Sequence, residues 1–369
     1  MKVVVYAICK NESGFVDRWT RSMWEADEIV VLDTGSEDDT VERLEKKGVK
    51  VVSEKISPWR FDRARNRSLE LVPEDADICV CTDLDEVFEP GWRAGLEQAW
   101  TAGVSQARYR YTWSFTEAGR EGVVFWIEKI HSRHGYQWVH PVHEVLTWTG
   151  EGQPGRTVNV EGIQLNHYPD SAKSRGQYLP LLELSVAEDP EDDRNMHYLG
   201  REYMYKKRWD DCIRTLKHHL TMKTAVWGDE RAASMRYIAK SYLMKGEKRE
   251  ARDWYLRAIV QAPHLREPYM DLAHALYEEK EWEGVLYFTG CALKIQDRPG
   301  TYICEAASWG SLPHDLRAMA FYHTGRAGEA LEEGKKALAL EPNNRRFQRN
   351  VELFAEKESG EVPEISDGK

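Results

Sequence analysis

The chain has 369 residues, 41% of them hydrophobic and 11% aromatic, with a formal net charge of −11. That length predicts two domains, and the aromatic content is enough for real cores. Net acidity, −9 over residues 1–170 and −2 over the rest, argues against a non-specific binder of nucleic acid or anionic membrane.

The opening "MKVVVYAICKNESG" meets Lys10, Asn11 and Glu12 too soon for a signal peptide and reads as a first strand, so a cytoplasmic protein is expected. No apolar run reaches membrane-spanning length. The six cysteines, at 9, 79, 81, 212, 291 and 304, include no CxxC pair and read as reduced, mostly buried thiols.

Over the first ~100 residues, β-branched runs alternate with helix-spaced segments. "VVVYAI" (3–8), "EIVVLD" (28–33), "VKVVSE" (49–54) and "ADICVCTDLD" (76–85) read as strands. Residues 15–26, 37–48 and 62–72 between them read as helices. Short connections then imply an α/β, Rossmann-like, mostly parallel sheet, whose ligands gather at the C-terminal strand ends. The polar motifs fall at those ends: Asn11 and Glu12, Asp33, then Asp83 and Asp85. Residues 103–165 turn aromatic-rich and suggest an antiparallel extension in which most aromatics pack the sheet. One or two of Trp113, Phe125, Trp126, Trp138 and Trp148 are expected to line an acceptor groove.

From about residue 193 the chain reads as all-helical and repetitive. Compact residues recur at Gly200, Ala239, Ala273 and Ala318, then at Cys212, Ala251, Val285 and Ala330, then at His219, Ala258, Ala292 and Ala337. A small–small–Ala helical hairpin of about 34 residues is the tetratricopeptide pattern, degenerate in its first copy. The expected domains are therefore 1–180 (sheet), 181–356 (helical repeats) and 357–369 (a polar, disordered tail). The repeats offer a concave surface for a peptide, a protein domain or a second copy of the chain, which would make a homo-oligomer.

The sheet carries neither GxGxxG nor GxxxxGK[ST], and a nucleotide could instead be held through a metal. Asp83-Leu84-Asp85, read as an extended strand end, would aim both acids to one side as a platform for Mn²⁺ or Mg²⁺. Together with "AICKNES" (7–13), "VLDTGSEDDT" (31–40) and "RFDRARNRSLE" (60–70), this order resembles the family 2 glycosyltransferases of the GT-A fold. The trailing repeats resemble the subset with a C-terminal tetratricopeptide domain, peptide S-glycosyltransferases included.

The resemblance implies roles. Glu12 and Asp33 would face the nucleoside, Arg65 the diphosphate, Asp83 the ribose or sugar, and Asp85 the metal. "HPVHEV" (140–145) and "LNHYPD" (165–170) add Glu144 as candidate general base and His167 as third metal ligand, with Lys129 as a phosphate contact. Against these, Asp33 could simply cap a helix beginning near Glu37, Arg65 could be a surface helix residue, and Glu144 could orient His143 or the acceptor. The implied activity is inverting, metal-dependent transfer from a nucleotide-sugar, a UDP-sugar, to a peptide or protein, a glycan or a modified nucleobase. The alternatives are a nucleotidyltransferase, whose Gly-rich basic signature is missing after the first strand, and a non-catalytic repeat scaffold with a relic sheet domain.

Overall fold

The computed structural model describes residues 1–116, 119–170 and 176–360. The chain forms two compact units, Met1–Phe115 with Val124–Pro190, and Thr116–Val123 with Glu191–Lys369.

In the first unit, β1 (Val3–Cys9) is buried along its whole length, as a strand covered on both faces must be. Its side chains alternate with period two. Val3, Val5, Ala7 and Cys9 enter one core with Val16, Trp19 and Met23 of α1 (Val16–Met23), while Val4 and Tyr6 enter the opposite core with Leu69 and Trp138. β1 pairs in parallel with β2 (Glu28–Asp33) and β4 (Ile78–Cys81), and β2 with β3 (Lys50–Ser53). The crossovers carry α1, α2 (Thr40–Lys46) and α3 (Phe61–Glu70).

After β5 (Glu86–Phe88) and α4 (Trp92–Ala99), strands β6 (Val104–Thr112), β7 (Val124–Ser132) and β10 (Arg156–His167) complete one eight-stranded sheet, in order β3-β2-β1-β4-β7-β6-β10-β5. β7 runs antiparallel to both β4 and β6, but β6 and β10 are parallel, so the extension is mixed. The aromatic-rich stretch 136–148 stands apart from that sheet. It divides into β8 (Tyr136–Val139) and β9 (Val145–Trp148), a separate hairpin whose loop takes His140 and His143 through left-handed φ of 78° and 53°.

α5 (Tyr178–Glu188) belongs to the first unit, so the second begins at Glu191 rather than at 181. The second unit stacks antiparallel helix pairs: α6 (Asp193–Tyr205) with α7 (Trp209–His219), α8 (Gly228–Met244) with α9 (Lys248–Gln261), and α10 (Glu267–Glu278) with α11 (Trp282–Lys294). A short α12 (Ala306–Trp309) precedes the pair α13 (Leu312–His323) and α14 (Ala327–Leu340), followed by α15 (Arg345–Ser359). The recurring small residues are where the helices touch. Ala239, Ala258, Ala273, Ala292, Ala318, Ala330 and Ala337 are all buried, and a Cβ on Gly200 would fall 2.2 Å from Leu216 Cδ2. The tail expected from 357 starts as the last turn of α15, while 361–369 lies outside the described residues. Among the described residues no helix is long and apolar enough to cross a membrane, and all six cysteines are free.

Candidate active site

The loops after β1 and β2 brace one another. Asn11 accepts the Glu37 backbone N–H (2.7 Å), its own N–H donates to Ser36 Oγ (2.8 Å), and the Glu12 N–H donates to Thr40 Oγ1 (2.8 Å). Asn11 holds φ at 54°, a left-handed geometry that asparagine tolerates. Asp33, 2% exposed, accepts the N–H groups of Gly35 (3.2 Å) and Ser36 (3.0 Å). It therefore ties a turn rather than capping a helix, because α2 starts only at Thr40. Glu12 and Asp33 thus stand on adjacent strand ends, both buried.

Asp83-Leu84-Asp85 is not an extended strand end. β4 stops at Cys81, and the Glu86 N–H donates to the Asp83 carbonyl (3.0 Å), closing a tight turn. Leu84 drives the turn by burying fully in the core, which sends the two aspartates to different partners. Asp83 faces cations. Both of its carboxylate oxygens accept from Arg65 Nη2 (2.9 and 3.1 Å), and Oδ2 accepts from Lys129 Nζ (3.2 Å). Burial opposes its ionisation, but the Arg65 and Lys129 charges outweigh that and hold its carboxyl well below the usual range. Asp85 faces His167, whose Nε2 lies 3.4 Å from Asp85 Oδ2.

Arg65 is a buried hub, not a surface residue. Besides Asp83 it donates through Nε to Glu144 and through Nη1 to Cys81 Sγ (3.3 Å), and it lies over the Trp138 ring. Lys129 is equally committed, donating to Glu86 Oε1 at 2.7 Å. Glu86 is a site residue to which the sequence pattern assigned no role. Its side chain is 1% exposed, takes the Asp83 N–H (2.9 Å) and the Tyr111 hydroxyl (2.9 Å), and so fixes the turn from beneath. The signal for it was the third carboxylate of "DLDE", placed where a buried lysine could neutralise it.

The structure therefore gathers Arg65, Asp83, Glu86, Lys129 and Glu144 into one network and sets Asp85 and His167 beside Asp83. Three carboxylates meet two cations there, and Asp85 adds a further negative charge. That excess suits a divalent ion. Both Asp85 and His167 keep 15% of their side chains open to solvent. His167 Nδ1 donates to the Trp113 carbonyl (2.8 Å), so Nε2 is the nitrogen left to share a proton with Asp85 or to bind an ion, the arrangement common for a metal-binding imidazole. Burial disfavours the imidazolium, but Asp85 outweighs it and raises the His167 pKa. The 3.4 Å spacing is close to the roughly 3 Å between neighbouring ligands of an octahedral ion, so this pair fits one. Trp113, 44% exposed, stacks near His167 with ring centroids 6.1 Å apart, whereas Trp138 is core.

Residues 5–147 match the family model described as Glycosyl transferase family 2. Solved structures similar to part of the chain include the crystal structure of MamA, at 20% identity over 46% of this chain and 89% of that one, with a TM-score of 0.37. The C-terminal part of a TPR repeat-containing protein from Cytophaga hutchinsonii is 12% identical over 51% and 67% of the two chains, with a TM-score of 0.42. PilF of Pseudomonas aeruginosa is 15% identical over 48% and 72%, with a TM-score of 0.37.

Proposed function

We propose that this chain, a family 2 glycosyl transferase domain followed by tetratricopeptide-like repeats, is an inverting, metal-dependent glycosyltransferase that uses a UDP-sugar. The observation that carries the reading is the Asp85–His167 pair standing beside the Arg65–Asp83–Lys129 network at the C-terminal edge of the parallel strands. A Mn²⁺ or Mg²⁺ ion held by Asp85 and His167 would supply Lewis-acid stabilisation for the charge that develops on a departing diphosphate.

The chain's own groups account for the rest. Glu12 and Asp33 offer carboxylate acceptors for the nucleoside's N–H and hydroxyl groups. Arg65 and Lys129 bring two fixed positive charges to the same edge, and Asp83 between them accepts sugar or ribose hydroxyls. Trp113 offers a flat face on which a sugar ring can stack. For the acceptor we propose a peptide or protein bound by the helical repeats, since such arrays present concave surfaces for extended chains.

Glu144 is the candidate base for the acceptor proton, although Arg65 competes for the same carboxylate. Glu144→Gln separates the two roles, because it keeps an acceptor for Arg65 Nε and cannot take a proton. As base, the variant loses about 10²-fold or more in kcat with the donor KM unchanged. A change confined to donor KM would make Glu144 a positioning residue for Arg65. The reading as a whole is tested by UDP release from UDP-sugars with Mn²⁺. Turnover that vanishes in Asp85→Ala supports it, and release unaffected by that substitution sinks it.

A further inference from the structure

The second unit buries a cluster that helix packing does not require. His197 of α6, His219 of α7 and Glu230 of α8 each offer a ligand atom, and these atoms lie within 4.8 Å of one another. Both histidines are 0% exposed and Glu230 is 5% exposed. His219 occupies the position at which the other hairpins carry Ala258, Ala292 and Ala337, each buried between paired helices. A small residue suffices there for packing, so an imidazole needs another explanation.

The surroundings orient the three groups. Ser234 Oγ lies 2.7 Å from His197 Nδ1 and 3.0 Å from His219 Nδ1. A hydroxyl has two lone pairs, so both rings can donate Nδ1–H to it, which leaves the His219 Nε2 unprotonated. The Tyr302 hydroxyl donates to Glu230 Oε2, leaving Oε1 turned to the imidazoles. His219 Nε2 is fully buried with no hydrogen-bond partner, and it lies 3.5 Å from Glu230 Oε1. That distance is long for a hydrogen bond. It equals the roughly 3.3–3.5 Å between two ligands of a tetrahedral ion whose bonds are near 2.0–2.1 Å. An unpaired imidazole nitrogen beside a buried carboxylate is costly to keep, and a shared cation removes the cost.

We infer that His197, His219 and Glu230 form a binding site for Zn²⁺ or a similar first-row divalent ion, clamping the first helical hairpin of the repeats to the second. Two imidazoles and a carboxylate are a borderline-soft set suited to zinc, with Ser234 and Tyr302 as the outer partners that fix them. The site is separate from the pair at Asp85 and does not depend on the proposed transfer reaction.

The test uses the full chain, stripped with a chelator and titrated with Zn²⁺ against a chromogenic competitor. The wild type and Asp85→Ala should each bind one tight equivalent, whereas His219→Ala and Glu230→Gln should weaken it by about 100-fold or more. Co²⁺ in the same site should give the intense visible bands of tetrahedral coordination, absent in His219→Ala. His219→Ala restores the residue of the other hairpins, and Glu230→Gln keeps the side chain's shape, so at least one variant should fold. Zinc binding equal to wild type in a folded variant, or no zinc bound by wild type at about 10 µM, overturns the site and leaves only a buried polar cluster.

Discussion

His131 sits at the centre of a buried relay whose proton positions follow from its partners. Trp138 Nε1–H donates to the Tyr6 oxygen (2.8 Å), the Tyr6 hydroxyl faces His131 Nε2 (2.7 Å), and His131 Nδ1 faces the Ser132 carbonyl (2.8 Å). A carbonyl only accepts, so Nδ1 carries the proton and Nε2 accepts from Tyr6. Adding a second proton would put Nε2–H against that hydroxyl inside a fully buried site. Burial accordingly pushes the His131 pKa down from 6.5 to about 4. Between those values the unfolded chain takes a proton that the folded chain refuses. His131 therefore costs the fold nothing above pH 6.5, and stability falls as pH drops from 6.5 towards 4. Each tenfold change in proton affinity is worth about 1.4 kcal/mol, so the loss amounts to about 3 kcal/mol. His131→Gln cannot titrate and should flatten that segment of the pH–stability curve, while lowering stability at pH 8 by disturbing the relay. Denaturant melts from pH 4 to 8, with a histidine-ring NMR titration, measure both. An ordinary pKa near 6.5, or a proton resident on Nε2 at neutral pH, refutes the relay.

Lys129→Met should destabilise the first unit by about 3–5 kcal/mol, because buried Glu86 loses its counter-charge and Asp83 loses one of its two. Adding Glu86→Gln should recover part of that in a denaturation assay, and no recovery would show that the pair is not the cause. Gly200→Ala should lower the melting temperature of the repeats, by about 1–3 kcal/mol of stability, as its methyl would meet buried Leu216. An unchanged or raised temperature would mean that the hairpin relaxes freely.

Much of this arrangement was legible in local patterns, and what escaped was long-range. The alternation around β1, the spacing of Trp19 and Met23, and the small-residue register of the repeats each report one element's buried face, so strands and helices fall close to their expected places. Asp83 and Asp85 were readable as a pair, but their divergence depends on Leu84 finding a core pocket, which no spacing rule contains. Arg65 stands out in the sequence only through the family resemblance, and its burial depends on Glu144, Cys81 and Asp83, which lie far from it along the chain. The same holds for His197, His219 and Glu230, which lie on three helices and converge only after those helices pack. His219 alone was conspicuous, as the one large polar residue in a column of alanines.

In the proposed function, Asp85 and its neighbours hold a nucleotide-sugar through a metal. Thermal shift of the purified chain with UDP-, GDP-, CDP- and dTDP-sugars, each with and without Mn²⁺, tests it most directly, because a ligand bound only by the folded state raises the melting temperature. The expected result is a rise with UDP-sugars that requires Mn²⁺, exceeds the effect of Mn²⁺ alone, and disappears in Asp85→Ala. No rise with any donor, or one indifferent to both Mn²⁺ and Asp85, would contradict it and favour a repeat scaffold whose sheet domain no longer binds a donor.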